Sequence, residues 1–328
     1  MIASHRARVV AAFATIYLMW GGTFLAIRYA VADIPPLMTM VLRCAAGAAL
    51  LFAWLAWRGS LARPSREQWL TTGVAGVLLF LGCHGLLAWA EQRVTSGEAA
   101  LFMTAIPLWL IALESLLARQ LPSSRVILAL ALGIAGVGVL TWSEGWSGGL
   151  VDRGALVVGA FFWAVGTVIV RRGGGGTPLP AAQSTALQLG AGAAALLVAS
   201  LAVGEPWGWS PVDVTPRAIL SLGFLVVGGT VLGFGAYTWL LRVTSAAAVS
   251  TYAFVNPVVA LVLAWLVGDG ELSARTAVAA ALVVGAVLCS REPAPREEPE
   301  VVEGTTLERA IPSLRRPARG GLAAALFR

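Results

Sequence analysis

Arg43 sits well inside an apolar run, between Leu42 and Cys44. An arginine there is costly unless it faces a bundle interior or water. Its planar fork can hold a carboxylate or a phosphate. The alternative is structural, a pairing with Glu91, Glu98 or a helix carbonyl. Glu91 and Glu98 lie near the ends of their own apolar runs. Either can carry a coupling proton if burial favours the neutral carboxyl, or serve as an interfacial charge paired with Arg93. Glu114 stands deeper in its run, before Arg119, and is expected to reach an interface rather than a crevice. His84 has glycine neighbours, Gly82 and Gly85, that let a solute or helix come close. Its ordinary titration range suits a proton relay, although a lone histidine also serves as a hydrogen-bonded packing residue.

Two further features belong with these side chains. Pro107 and the pair Asn256-Pro257 interrupt apolar runs at matched places. Proline removes a helix hydrogen bond and permits a kink, and matched interruptions in two halves of a transporter point to a midplane site. Trp20, Trp89, Trp163, Trp239 and Tyr252 can line a cavity for flat organic solutes, with Thr23 close to Trp20 in the chain. The competing reading is that Trp and Tyr crowd membrane interfaces.

The elements that position these residues are apolar helices. Of 328 residues 58% are hydrophobic and only 12% charged, against about 25% charged in soluble domains. Mean hydropathy is +0.80. Crossing a bilayer takes about 20 apolar residues. Ten such runs occur, at 9–31, 36–57, 68–90, 97–117, 125–142, 153–171, 179–203, 217–240, 246–267 and 273–290. The expected class is an all-α integral membrane protein with ten transmembrane helices. The first run follows His5, Arg6 and Arg8 without a small-residue cleavage site, so it reads as a retained helix rather than a signal peptide. The longest connection is expected at 58–67, leaving no room for a folded extramembrane domain. Residues 291–328 are rich in Glu, Arg and Pro, and are expected to form a disordered cytoplasmic tail.

All 23 basic residues are arginine, and the formal net charge is +6. Their place between apolar runs argues for cytoplasmic loops rather than for nucleic acid. With the N-terminus inside, the cytoplasmic segments carry Arg6, Arg8, Arg58, Arg63, Arg66, Arg119, Arg125, Arg171, Arg172 and Arg242. The opposite loops carry Arg93, Arg153, Arg217 and Arg275. The asymmetry places both termini in the cytoplasm. Cys44, Cys83 and Cys289 lie in apolar runs without metal or disulfide spacing.

The chain repeats itself. Arg93-Val94-Thr95-Ser96 recurs as Arg242-Val243-Thr244-Ser245. Leu42-Arg43-Cys44-Ala45-Ala46-Gly47 aligns with Leu187-Gln188-Leu189-Gly190-Ala191-Gly192, and Trp20 through Thr23 resembles Trp163 through Thr167. The expected domains are therefore a first five-helix repeat at 1–145 and a second at 146–290. Because five is odd, the second copy enters the membrane from the opposite side. Two inverted halves can exchange shapes and open a central site to each side in turn.

The segment Trp89-Ala90-Glu91-Gln92-Arg93-Val94-Thr95-Ser96-Gly97-Glu98, continuing to Pro107-Leu108-Trp109, resembles the EamA family of the drug/metabolite transporter superfamily. Trp20-Gly21-Gly22-Thr23-Phe24 and Pro35-Pro36-Leu37 add to the likeness, which covers about 9–290. The resemblance implies ten spans, a bacterial inner-membrane location and export of small metabolites or drugs. Cys83-His84-Gly85 departs from the family's pattern, which has Asn before that glycine, so the resemblance does not transfer a substrate.

No nucleotide-binding loop occurs, so no cofactor, metal or ATP drive is expected. The expected partners are a small organic solute, a proton as candidate coupling ion, and membrane lipid, with a monomer or homodimer as the assembly. The alternatives are an intramembrane enzyme, which would need paired acids or a Ser–His constellation that cannot be assembled here, and a receptor or scaffold, which has no need of two exchangeable halves.

Overall fold

The computed structural model describes residues 2–94, 96–141, 148–173, 179–266 and 274–289. The tail at 291–328 lies outside them. All regular structure among the described residues is helical. We label the helices in chain order: α1 (Ile2–Ala30), α2 (Pro36–Trp57), α3 (Arg66–Ala90), α4 (Ser96–Met103 and Ala105–Ala118), α5 (Ser124–Thr141), α6 (Leu150–Arg172), α7 (Ala181–Ala202), α8 (Pro216–Val243), α9 (Ala246–Ser250 and Tyr252–Leu266) and α10 (Ala274–Cys289). Six of them, α1, α2, α3, α6, α7 and α8, are long and apolar enough to cross a membrane. The segments Ala105–Ala118, Ser124–Gly136, Ala248–Ala260 and Ala277–Ala286 are shorter apolar helices.

Helix starts follow local chemistry. Ser65 accepts from the Gln68 amide while the Gln68 side chain accepts from the Ser65 amide, so α3 opens on a reciprocal cap. Proline opens α2 at its first position, where no helical N–H is needed. Thr215 caps α8 and is itself held by the Asp33 carboxylate, which accepts from its amide and hydroxyl.

Packing pairs elements across the two parts of the chain. α2 lies along α7, and α5 along α10. α1 packs on α8 and α9, and α6 packs on α3 and α4. The first helix of each part thus embeds in the other part, and the two run in opposite directions. α1 starts where His5 meets Trp239 near the end of α8, and it ends at the Val31–Leu37 loop. α6 starts where Asp152 pairs with Arg93, on that loop's side, and ends at Arg171 and Arg172 beside Arg242.

Small residues set these approaches. A Cβ on Gly47 would meet Thr230 at 2.6 Å, and one on its repeat partner Gly192 would meet Phe80 at 2.6 Å. On Gly76 a Cβ would fall 2.1 Å from the Gln188 carbonyl oxygen, so α3 touches α7 backbone to backbone.

Two irregularities recur. Val77–Gly85 in α3 and Leu225–Phe234 in α8 are wound as π-helix. Each frees carbonyls that side chains then take up: the His84 ring Nδ1 meets the Leu79 carbonyl at 3.0 Å, and the Thr230 hydroxyl donates to the Leu225 carbonyl at 2.8 Å. Wide turns of this kind gather at functional sites. The expected interruptions at Pro107 and Pro257 are displaced. α4 breaks at Thr104 and α9 at Thr251, while Pro107 lies in the first turn of its segment and Pro257 inside its helix. The missing proline N–H withholds the helix bond from the carbonyls of Met103 and Ala253.

The longest connection also differs from expectation. It is the stretch 203–215, not 58–67, and it carries two short 3₁₀ turns, Glu205–Gly208 and Pro211–Asp213. Glu205 reaches back to the start of α2, where its oxygens accept from the amides of Leu37 and Met38 and from the Ser200 hydroxyl. A carboxylate at a helix N-terminus satisfies orphan donors and the dipole together.

Candidate functional site

The repeated pieces meet at an internal cavity. It encloses about 480 Å³ of atom-free space, mouth included, and is lined by Trp20, Thr23, Phe24, Arg43, Cys83, His84, Leu87, Met103, Ile106, Trp163, Tyr252, Ala253 and Asn256. Trp20 and Trp163, and Ile106 and Asn256, stand at matched places of the sequence repeat.

The aromatic wall is built from both parts. The Trp20 and Trp163 rings meet edge to face at 5.5 Å, and Tyr252 sits edge-on to Trp20 at 4.7 Å. Thr23 and Thr167, one turn along, each donate to the carbonyl of their tryptophan, at 2.6 and 2.8 Å. Trp20 Nε1 donates to the Gly229 carbonyl in the π-turn of α8 at 2.8 Å. Gly233 makes that possible, since a Cβ there would lie 2.5 Å from Trp20 Nε1. In the other part His84 packs edge to face on Trp163 at 5.2 Å.

Arg43 is the cavity's only lining cation among the described residues, and it is 2% exposed. Its Nε donates to the Thr230 hydroxyl at 2.8 Å, while Nη1 finds no acceptor. Neither structural partner foreseen for it among the glutamates is confirmed: Arg43 forms no ion pair with Glu91, and the Glu98 side chain lies outside the described ones. Asn256 Oδ1 is unpaired as well, and Trp163 Nε1 faces the Tyr237 and Tyr252 hydroxyls without a bond of good geometry. An unpaired buried polar group costs about 1–3 kcal/mol, so these atoms mark the cavity as the candidate place for a bound solute or water.

The remaining candidates lie elsewhere. Glu91 is 4% exposed at the end of α3, and neither carboxylate oxygen meets a donor. It borders a separate pocket with Arg28 and Arg93. The interfacial pairing of Glu91 with Arg93 is not formed, because Arg93 bonds Asp152 at 2.7 Å and stacks on Trp89 with its guanidinium carbon 4.1 Å from the ring centre. Glu114 pairs with Arg171 and Arg172 at 3.6 and 3.4 Å. Trp239 packs on His5, and neither Pro107 nor Pro257 touches the cavity, although their neighbours Ile106 and Asn256 do. Sequence reasoning missed Thr230, the partner of Arg43. The only signal for it was a lone hydroxyl in the run Val226-Val227-Gly228-Gly229-Thr230.

Comparison with known proteins fits this architecture. The model of the EamA-like transporter family matches twice, over residues 8–142 and 154–291. The uncharacterized inner membrane transporter YedA of Escherichia coli K12 is 31% identical over 275 residues, spanning 83% of this chain and 87% of that protein. The uncharacterized transporter YoaV of Bacillus subtilis is 24% identical, spanning 79% and 88%. A solved crystal structure, 21% identical, shares the fold with a TM-score of 0.71 over 87% of this chain and 97% of that one.

Proposed function

This chain belongs to the EamA-like transporter family of multi-pass membrane proteins, and we propose that it exports a small organic solute across the inner membrane by alternating access. In this reading all ten helices span the bilayer, as inverted repeats at 1–145 and 146–290, with both termini cytoplasmic. The opposed directions of α1 and α6, the exchanged packing of those helices and the recurring π-turns support it. So does the gathering of Arg171, Arg172 and Arg242 at one end.

The observation that carries the reading is the cavity lined from both matched stretches, Trp20 and Trp163 among its residues, into which the unbonded Arg43 Nη1 and Asn256 Oδ1 face. A site on such an axis sees the same two packings from either side. Exchange of packing between the halves then moves the opening without moving the site. Arg43, present in one half only because its repeat partner is Gln188, gives the site its polarity.

The test is efflux from proteoliposomes loaded with a panel of labelled amino acids, nucleosides and aromatic acids, amines and amides. Wild-type protein should release at least one class, and Arg43→Ala should lose that release while staying membrane-inserted. Release of no panel member, or full release by Arg43→Ala, refutes the proposal as stated.

A further inference from the structure

The unpaired atoms of the cavity have a common chemical sense. Arg43 Nη1 is a donor without an acceptor, while Trp163 Nε1 faces the Tyr237 and Tyr252 hydroxyls without a bond of good geometry, so that it and the Tyr252 hydroxyl can both donate to a solute. Among the described residues no carboxylate lines the cavity to compensate Arg43. The other wall is apolar or aromatic: Trp20, Phe24, Leu87, Met103 and Ile106. A second observation agrees. The pocket at the α6–α8 end, with about 1170 Å³ of atom-free space, is lined by Arg171, Arg172 and Arg242 together with Gln68, Thr71 and Ser184; Arg171 and Arg172 share the one carboxylate of Glu114, which leaves the three arginines in excess. Arg242 there donates to the Leu179 carbonyl at 2.7 Å and has no acidic partner among the described ion pairs. A solute entering from that end passes a cationic mouth, which concentrates anions.

We infer, building on the export reading, that the solute is a compact monocarboxylate with a flat apolar body, its carboxylate held by Arg43, Trp163 and Tyr252. One guanidinium balances one negative charge. A phosphate carries about −1.5 to −2 at neutral pH and would leave a net charge buried in an apolar chamber, which is why the carboxylate is favoured. The body lies against the edge-to-face aromatic wall. The Asn256 amide oxygen accepts one N–H or O–H from solutes that carry it.

The test uses the full chain in nanodiscs and four probes of one shape: phenylacetate, phenylacetamide, 2-phenylethylammonium and phenyl phosphate. Binding is read calorimetrically and from quenching of tryptophan fluorescence, since Trp20 and Trp163 line the site. Phenylacetate should bind, and each of the other three should bind at least about tenfold more weakly, the worth of one charge-assisted hydrogen bond. Arg43→Gln should cost phenylacetate about tenfold or more and leave phenylacetamide unchanged. Tyr252→Phe, which keeps ring and charge, should cost about tenfold and carries the test if Arg43→Gln fails to fold. Absence of phenylacetate binding, equal binding of the amide, the ammonium or the phosphate, or an unchanged phenylacetate affinity in Tyr252→Phe overturns the assignment. Release of amines or amides from the proteoliposomes, without carboxylates, would refute this substrate class and leave the export reading standing.

Discussion

Replacing Thr230 by valine isolates the bond that orients Arg43. Valine keeps the branched shape and deletes the hydroxyl that accepts from Arg43 Nε at 2.8 Å and donates to the Leu225 carbonyl at 2.8 Å. Hydrogen bonds between membrane helices average about 0.6 kcal/mol. Charged donors roughly double such a bond, and stranding a buried donor adds about 1–3 kcal/mol. Because Nη1 is already unpaired, Nε has no alternative acceptor within the set of described bonds. The expected loss is about 2–3 kcal/mol. In an Arg43→Met background, Thr230→Val should cost only the helix-internal bond, about 0.6 kcal/mol. A double-mutant cycle on reversible unfolding in mixed micelles measures the difference. Coupling below about 0.3 kcal/mol, the usual error of additivity for independent sites, would show that Thr230 does not hold Arg43.

Other substitutions probe the frame around the cavity. Gly76→Ala should destabilise by about 3 kcal/mol or prevent assembly, because its Cβ would meet a backbone oxygen at 2.1 Å that no rotamer change can move; a wild-type melting curve would refute the close α3–α7 contact. Glu205→Ala should cost about 1–2 kcal/mol by uncapping α2, and its melting curve should be rescued in part by Glu205→Asp. Hydrogen bonds from Thr215 hold the Asp33 carboxyl below its ordinary value of 3.8. A lowered folded-state value means its contribution is present above the unfolded value and is lost as pH falls through the folded one. Wild type and Asp33→Asn should therefore differ at neutral pH and converge under acid, with a small amplitude because the group is exposed; a gap that widens on acidification would contradict the capping role.

Much of this was readable in the sequence because membrane helices leave strong signals. Length and hydropathy marked the apolar runs, and the recurrence of Arg-Val-Thr-Ser marked the repeat. Arg43, Trp20, Trp163, Tyr252 and Asn256, which line one cavity, were legible as candidates because a buried charge, a matched tryptophan and a polar residue beside proline each break an apolar pattern. Thr230 was not, because a hydroxyl in a membrane helix usually bonds its own backbone. Its role depends on a π-turn that tertiary packing imposes. Glu205 was missed for a different reason: its partners at Leu37 and Met38 are 168 and 167 residues away, and a loop carboxylate has no periodicity to betray it. Trp89 and Trp239 shared the residue type of Trp20 and Trp163 but not their placement, which composition cannot distinguish.

Alternating access requires that one cavity open to each side of the membrane in turn. Cys83 lines that cavity and is buried at 2% exposure, and it can serve as a native reporter once Cys44 and Cys289 are replaced by alanine. The measurement is modification of Cys83 in oriented proteoliposomes by a small membrane-impermeant thiol reagent added from one side or the other. Alternating access predicts reaction from both sides, without any ion leak. Reaction from one side alone under every condition, or reaction from both accompanied by a continuous leak, would contradict it.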